Sequence, residues 1–226
     1  YLTCTGCSSI IGVVRYILPD SDASNKDVKR GYVFNAINGV QLTVDNYSSL
    51  LAQNTYVMNF ADFDGTNYVS NGKSVPLTKA EYPENPVFIT KTFEIGGKKI
   101  GYLMYNSFTS TYDQQLNAAF AQLKGEGATE LILDLRYNGG GSVQTSVYLA
   151  SMITGQFNGQ TFSKLQYNSN FEDQLYPFVN EIENGSSINS LNLNKVYIIA
   201  TGSSASASEA IINSLKEYIT VEHIGT

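Results

Sequence analysis

Leu131-Ile132-Leu133-Asp134-Leu135-Arg136-Tyr137-Asn138-Gly139-Gly140-Gly141 reads as a strand running into a glycine turn. A largely apolar run of this length, bounded by glycines, fits a strand buried on both faces, and such strands belong to parallel sheets covered by helices. Beyond the turn, Val143, Val147, Ala150 and Ile153 recur at helical spacing. The same order returns in Val196-Tyr197-Ile198-Ile199-Ala200, a turn at Gly202, and a helix carrying Ala207, Ala210, Ile211, Ser214 and Leu215. Strand, small-residue turn and helix, twice over, predict an α/β unit built on a parallel sheet.

Toward the N-terminus, strands are predicted at Val87 to Phe93 and Lys99 to Tyr105 around Gly96-Gly97. A helix from Tyr112 to Lys124 carries Leu116, Ala119, Phe120 and Leu123 on one face. Pro83 and Pro86 interrupt the pattern, which sets a boundary near residue 85 and divides the chain into residues 8–85 and 86–226. The first unit is expected to be small and mostly β. Val33-Phe34-Asn35-Ala36-Ile37 leads through Asn38-Gly39 into Val40-Gln41-Leu42, and Asn-Gly between apolar runs signals a hairpin, because a type I′ turn needs positive φ at both central residues. Thr43 is placed to cap a helix bearing Tyr47, Leu50 and Leu51, and strands return at Tyr56 to Phe60 and around Tyr68-Val69. Residues 155–195 are polar and predict a surface excursion that shapes a site or carries short elements of its own.

The chain has 226 residues, enough for two domains with cores. Fourteen basic against twenty acidic side chains leave a net charge of −6, which disfavours nucleic acid and anionic membranes as partners. No apolar run approaches the roughly 18–20 residues of a membrane span, and the first residues lack the basic-then-apolar pattern of a signal peptide. Abundant Tyr and Asn with sparse Lys and Arg suggest a bacterial periplasmic or envelope protein. Cys4 and Cys7 form a C-x-x-C whose role is open; a zinc site would need two further ligands, and the single histidine, His223, is far away in sequence. No metal and no cofactor is expected.

Parallel sheets place their sites at the C-terminal ends of strands. Two such ends carry Gly139-Gly140-Gly141 and Ser203-Ser204-Ala205-Ser206-Ala207-Ser208-Glu209. A glycine triplet can aim backbone N–H groups at a phosphate, a carboxylate or the oxyanion of acyl transfer. By itself it is equally a tight turn, and it lacks the spacing and lysine of a P-loop. Ser206 begins an S-x-x-E capping box with Glu209, yet a serine at a helix start beside small residues is also where a nucleophile gains access and a favourable dipole. Both readings stand on pattern.

Leu133 to Gly141 followed by Ser204 to Glu209 resembles the paired signature of the C-terminal processing (tail-specific) serine peptidases, over most of residues 87–226. Lys29-Arg30-Gly31-Tyr32-Val33 through Asn38-Gly39 resembles a PDZ domain of the circularly arranged kind found in bacterial proteases, with Tyr32 in place of the usual acidic residue. The resemblance implies a ClpP/crotonase-like parallel-sheet core preceded by a PDZ-like peptide-binding domain. It also implies a serine endopeptidase that cleaves polypeptides near their C-termini. Carried over residue by residue, Ser206 is the nucleophile, and the N–H groups of Gly140, Gly141 and Ala207 form the oxyanion hole. Ile10-Ile11-Gly12-Val13 would be the loop that holds a peptide carboxylate, though the same run also reads as a buried strand.

The family's general base is a lysine about 25 residues after the serine in a Gly-Lys segment. Gly225-Thr226 resembles the start of that segment, so the lysine is expected beyond residue 226, and residues 1–226 alone are expected to be inactive. Lys216 does not substitute, since ten residues of helix put it about 15 Å along and some 80° off the serine's face. Glu217, near a supporting acidic position of the family, would lie about 16 Å along the axis and is expected to be structural. His223 is the alternative base. The rival readings are a non-catalytic peptide-binding scaffold derived from such a protease, and a crotonase-like acyl-CoA enzyme, which gives no reason for a PDZ module.

Overall fold

A computed structural model describes residues 2–3 and 8–225, so the Cys4-x-x-Cys7 pair lies outside the described residues. The chain divides into two compact units, Tyr1–Glu84 and Asn85–Thr226.

The first unit is an antiparallel sheet of β1 (Leu2–Thr3), β2 (Ile10–Val13), β3 (Val33–Ile37), β4 (Val40–Gln41), β5 (Thr55–Phe63) and β6 (Tyr68–Thr78). The strands run in the order β1-β2-β3-β5-β6, with β4 beside β3. The hairpin between β3 and β4 turns at Asn38 and Gly39, with φ of 53° and 76°, as a type I′ turn requires. Asn38 also ties the turn to β5, its Oδ1 accepting from Val57 N–H at 2.7 Å and its own N–H donating to Val57 O at 2.8 Å. A short α-helix, α1 (Tyr47–Ala52), starts after Asn46 rather than Thr43; the Asn46 side chain turns back to accept from Thr43 N–H at 2.8 Å. Ile10, Phe34, Ile37, Leu42 and Phe60 fill the core.

Ile10–Val13 is a strand, not a loop. It pairs with β1 through Ile10 and Ile11 and with β3 through Gly12 and Val13, and Ile10 N–H donates to Leu42 O at 3.0 Å. The physical reason is burial: Ile10 is 1% exposed, and a β-branched run gains from sheet packing. Ile10, Ile11, Gly12 and Val13 thus form a paired strand within the sheet. Gly12 also has a packing task, because a Cβ there would sit 2.0 Å from Phe34 Cζ. Gly12→Ala should destabilise the first unit by about 1–3 kcal/mol, the usual cost of overpacking. Thermal unfolding of Gly12→Ala against Gly12→Ala/Phe34→Leu checks it; no loss in the single variant, or no rescue in the double, would contradict the assigned clash.

The second unit is mixed α/β. Its elements in chain order are β7 (Val87–Ile95), β8 (Lys98–Tyr105), α2 (Asp113–Gly125), β9 (Glu130–Asp134), α3 (Val143–Ile153), β10 (Thr161–Leu165), β11 (Gln174–Pro177), β12 (Lys195–Ala200), α4 (Ala207–Leu215) and β13 (Thr220–Gly225). Five strands lie in the order β13-β12-β9-β8-β7. The pairs β8–β9, β9–β12 and β12–β13 are parallel, and only β7 runs antiparallel to its neighbour. Leu103, Leu133 and Ile198 stand side by side across the sheet and are fully buried with Leu116, Phe120 and Leu123 of α2. The polar excursion folds into the β10–β11 hairpin.

One consequence of this topology positions the site. β9 and β12 are adjacent and parallel, with Asp134 level with Ile199, so the segments following them leave the same end of the sheet side by side. β13, which periodicity did not mark, is parallel to β12 and sets Gly225 level with Ala200 at that same end.

Candidate active site

The glycine turn after β9 and the serine turn after β12 meet. A Cβ built on Gly140 would lie 2.7 Å from Ser206 Cβ, 2.7 Å from Ala205 O and 3.0 Å from Ala207 N, so only glycine permits the approach. Gly141 packs against the other neighbour, where a Cβ would be 2.3 Å from Phe108 O. Gly140 and Gly141 both hold positive φ, 102° and 140°.

Hydroxyls and one amide side chain stitch the two turns together. Thr201 Oγ1 donates to Arg136 O at 2.7 Å, Ser204 Oγ to Leu135 O at 2.7 Å, and Ser208 Oγ to Asn138 O at 2.9 Å. Asn138, fully buried, donates from Nδ2 to Tyr105 O and accepts on Oδ1 from Gly140 N–H, each at 2.9 Å. Sequence reasoning missed Asn138, Thr201, Ser204 and Ser208 as positioning residues. Their signal was the cluster of short polar side chains at two strand ends, where unpaired carbonyls need donors.

The Gly140 N–H is engaged by Asn138 Oδ1. Among the described residues, the N–H groups of Gly141 and Ala207 make no such bond.

Ser206 is exposed at the N-terminus of α4 with φ 55° and ψ −115°, a conformation that costs a non-glycine residue about 1–3 kcal/mol. Both limbs of the capping box with Glu209 are in place. Only the carboxylate limb is a normal hydrogen bond, Ser206 N–H to Glu209 Oε2 at 2.7 Å, and the hydroxyl makes no side-chain cap bond. The strained backbone sets Ser206 at the exposed start of α4, beside the glycine turn.

Residues 99–226 match peptidase family S41. The chain belongs to that family. A carboxyl-terminal-processing protease of Picosynechococcus is 32% identical over 84 residues, 37% of this chain and 20% of that protein. A chloroplastic C-terminal processing peptidase of Tetradesmus obliquus is 29% identical over 93 residues, with the same two shares. The match thus spans about a fifth of the length of these curated relatives. Among solved structures, a Bacteroides fragilis protein described as a putative S41 protease superposes with a TM-score of 0.76 at 28% identity, covering 100% of this chain and 61% of its own. A photosystem II D1 C-terminal processing protease shares the fold at a TM-score of 0.53 and 24% identity, over 91% of this chain and 53% of its own.

In this S41 chain the other titratable candidates fall away from Ser206. α4 ends at Leu215 with Lys216 as its C-cap, so Glu217 lies past the helix rather than on it, about 13 Å or more beyond the serine end. The apolar spacing of α4 does not by itself mark where the helix stops, so Glu217 is off the helix that the spacing predicts. His223 is exposed in β13, opposite Ile198, with β12 between it and β9. No group of three or more His, Cys, Asp or Glu side chains able to hold a metal occurs among the described residues. No described helix is long and apolar enough to cross a membrane.

Beneath the glycine turn sits an ion pair. Asp134, 1% exposed at the end of β9, accepts from Arg136 Nη2 at 2.6 Å, from Arg136 Nε at 3.0 Å and from the Tyr102 hydroxyl at 2.7 Å. Burial pushes the Asp134 carboxyl up, but the Arg136 guanidinium, the Tyr102 hydroxyl and the Arg136 N–H outweigh it and hold the group below the ordinary carboxylate range. Burial, and then the hydrogen bond to Asp134, raise the Tyr102 hydroxyl to about 12. A carboxyl depressed in the folded state contributes stability that is present above its unfolded value, near 3.8, and is lost as pH falls through the folded value. Asp134→Asn should cost about 2–3 kcal/mol at pH 7, the lower end for a buried pair because Arg136 is partly exposed. The cost should shrink as pH falls from 3.8 through the folded value; a difference in unfolding free energy that does not change with falling pH would contradict the charge assignment.

Proposed function

We propose that this chain carries the nucleophile and the substrate-binding surface of a serine endopeptidase that cleaves polypeptides near their C-termini by acyl transfer. The observation that carries the reading is the close approach of Gly140 to an exposed Ser206 held at positive φ. Ser206 Oγ attacks the scissile carbonyl carbon and its proton passes to a base. The C–N bond then breaks as the amine takes that proton, and water releases the acyl group. The N–H groups of Gly141 and Ala207 receive the oxyanion, each such donor being worth about 3 kcal/mol in the transition state.

The base in this reading is a lysine that follows residue 226, completing a Ser-Lys dyad, and residues 1–226 alone are inactive. The direction of β13 supports it, because the chain leaves Gly225 at the end of the sheet that holds Ser206. A lysine kept neutral by burial there can take the proton. The core is of the ClpP/crotonase-like kind, and residues 8–85 are a PDZ-like domain that holds the polypeptide C-terminus. The β3–β4 hairpin at Asn38-Gly39 supports that domain assignment, and Ile10, Ile11, Gly12 and Val13 are the residues proposed to hold the carboxylate. A bacterial envelope location follows from the sparse basic residues and is checked by cell fractionation.

The test is cleavage of an unstructured polypeptide with an apolar C-terminus by the complete protein, read by mass spectrometry. Loss of cleavage when the first lysine after residue 226 is replaced by alanine supports the dyad. Retained cleavage rejects it in favour of another base. Binding with no cleavage at all favours the peptide-binding scaffold.

A further inference from the structure

We propose that β7 is a self-association edge: a second copy of this chain sets its own β7 antiparallel beside it, about a two-fold axis at Thr92, so that two five-stranded sheets become one. β7 ends the sheet order, and among the described residues it has a strand on one side only. Its register with β8 is unbroken from Ile89 to Ile95, and no proline interrupts that run. The β6 edge of the first unit's sheet is guarded by contrast. It carries Pro76, whose carbonyl accepts from Lys26 Nζ at 2.6 Å, and Asp22 Oδ2 accepts from Thr78 N–H at 2.7 Å.

The hairpin turn decides which backbone groups face outward. Gly96 and Gly97 form a two-residue turn with φ of 59° and 76°, as in type I′, which makes Ile95 and Lys98 the hydrogen-bonded pair that closes it. Alternating back from there, Phe93 and Lys91 also bond to β8, while Glu94, Thr92 and Thr90 turn their N–H and C=O groups away from it. No turn, loop or cap bond takes those groups among the described residues. The way to them is open. Lys91, Phe93, Glu94 and Ile95 are exposed, and beside the strand α2 leaves a recess of about 510 Å³ lined by Thr90, Thr92, Glu94, Gln122 and Glu126.

The side chains along this edge are complementary to themselves, and that selects a second copy as the occupant. To join outward groups to outward groups, an antiparallel copy must set even-numbered residues opposite even-numbered ones. With the axis at Thr92, Thr90 stands opposite the partner's Glu94, Lys91 opposite the partner's Phe93 and Ile89 opposite the partner's Ile95, and the symmetry repeats each pair. A carboxylate meets a hydroxyl donor, an ammonium meets an aromatic ring, and isoleucine meets isoleucine. Moving the axis to residue 91 sets Lys91 against the partner's Lys91. Moving it to residue 93 sets Lys91 against the partner's Ile95 and loses the ammonium–ring pair.

Sedimentation velocity on the complete protein, from about 1 to 100 μM, tests the edge. The expected result is a concentration-dependent dimer. Phe93→Lys should raise its dissociation constant at least about tenfold, because lysine then faces lysine on both sides of the axis. Lys91→Glu/Phe93→Lys should recover most of that loss by setting glutamate opposite lysine. Thr92→Pro should also dissociate the dimer while leaving the β8 ladder whole, since the Thr92 N–H points outward. A protein that is monomeric throughout overturns the proposal, as does a dimer whose dissociation constant neither Phe93→Lys nor Thr92→Pro changes. A double variant no tighter than Phe93→Lys overturns the register and the self-complementarity with it. A monomer whose binding of an unstructured polypeptide is lost in Thr92→Pro gives the edge to a substrate strand instead.

Discussion

Replacing Ser206 by glycine should raise the melting temperature of the second unit while abolishing cleavage by the complete protein. The two effects share one cause. At φ 55° and ψ −115° the Ser206 backbone is strained for any residue with a Cβ, by about 1–3 kcal/mol. Glycine relieves this but gives back about 0.5–1 kcal/mol in unfolded-state entropy. Roughly 0.5–2 kcal/mol remains, and each kcal/mol is worth about 2–4 °C for a unit of this size. Ser206→Ala keeps the strain and should melt with the parent. Both variants lose the attacking oxygen, so kcat should fall by about 10⁴–10⁶, as for other serine nucleophiles. Calorimetry and a cleavage assay on the three proteins separate the outcomes. Undiminished cleavage by Ser206→Ala rejects the nucleophile, and a glycine variant that melts lower than the parent rejects the stored strain.

Gly140→Ala should damage both folding and chemistry, whereas Gly139→Ala should be tolerated. A methyl group at Gly140 would push into Ser206 Cβ and Ala205 O, each at 2.7 Å, from a backbone at φ 102°. Positive φ and overpacking together should cost about 2–4 kcal/mol. Relief requires the two turns to separate, and a displacement of about 1 Å at a reacting centre can cost on the order of 10² in rate. At Gly139 a Cβ meets nothing within 4 Å, and φ is not positive. Equal unfolding free energies for the two alanine variants, measured in denaturant, would refute the close approach as the reason for glycine.

Much of this architecture could be read from the residues because periodicity and turn chemistry agreed. The glycine turn after β9, the apolar run of β12 and the Asn38-Gly39 hairpin each have one good local solution. Three features stayed out of reach for definable reasons. Ile10–Val13 offered the same apolar residues to a loop or a strand, and pairing on both sides decides between them. β13 is short and carries Glu222 and His223, so it has little pattern of its own and depends on β12 for its register. The engagement of Gly140 N–H by Asn138 is a contact between a side chain and a backbone two residues on, which residue type permits but does not require. Ser206 itself lay between capping and catalysis on pattern, and its positive φ is a feature the sequence does not show.

The hydroxyl stitches from Thr201, Ser204 and Ser208 to the carbonyls beyond β9 have an implication for the newly made chain. Sixty-odd residues separate the halves they join, and until those strands align neither half holds the other in place. A register slip of one residue would turn the serine segment toward the wrong face. The meeting of Ser206 with the glycine turn is thereby reserved for molecules whose sheet has zipped in the correct register.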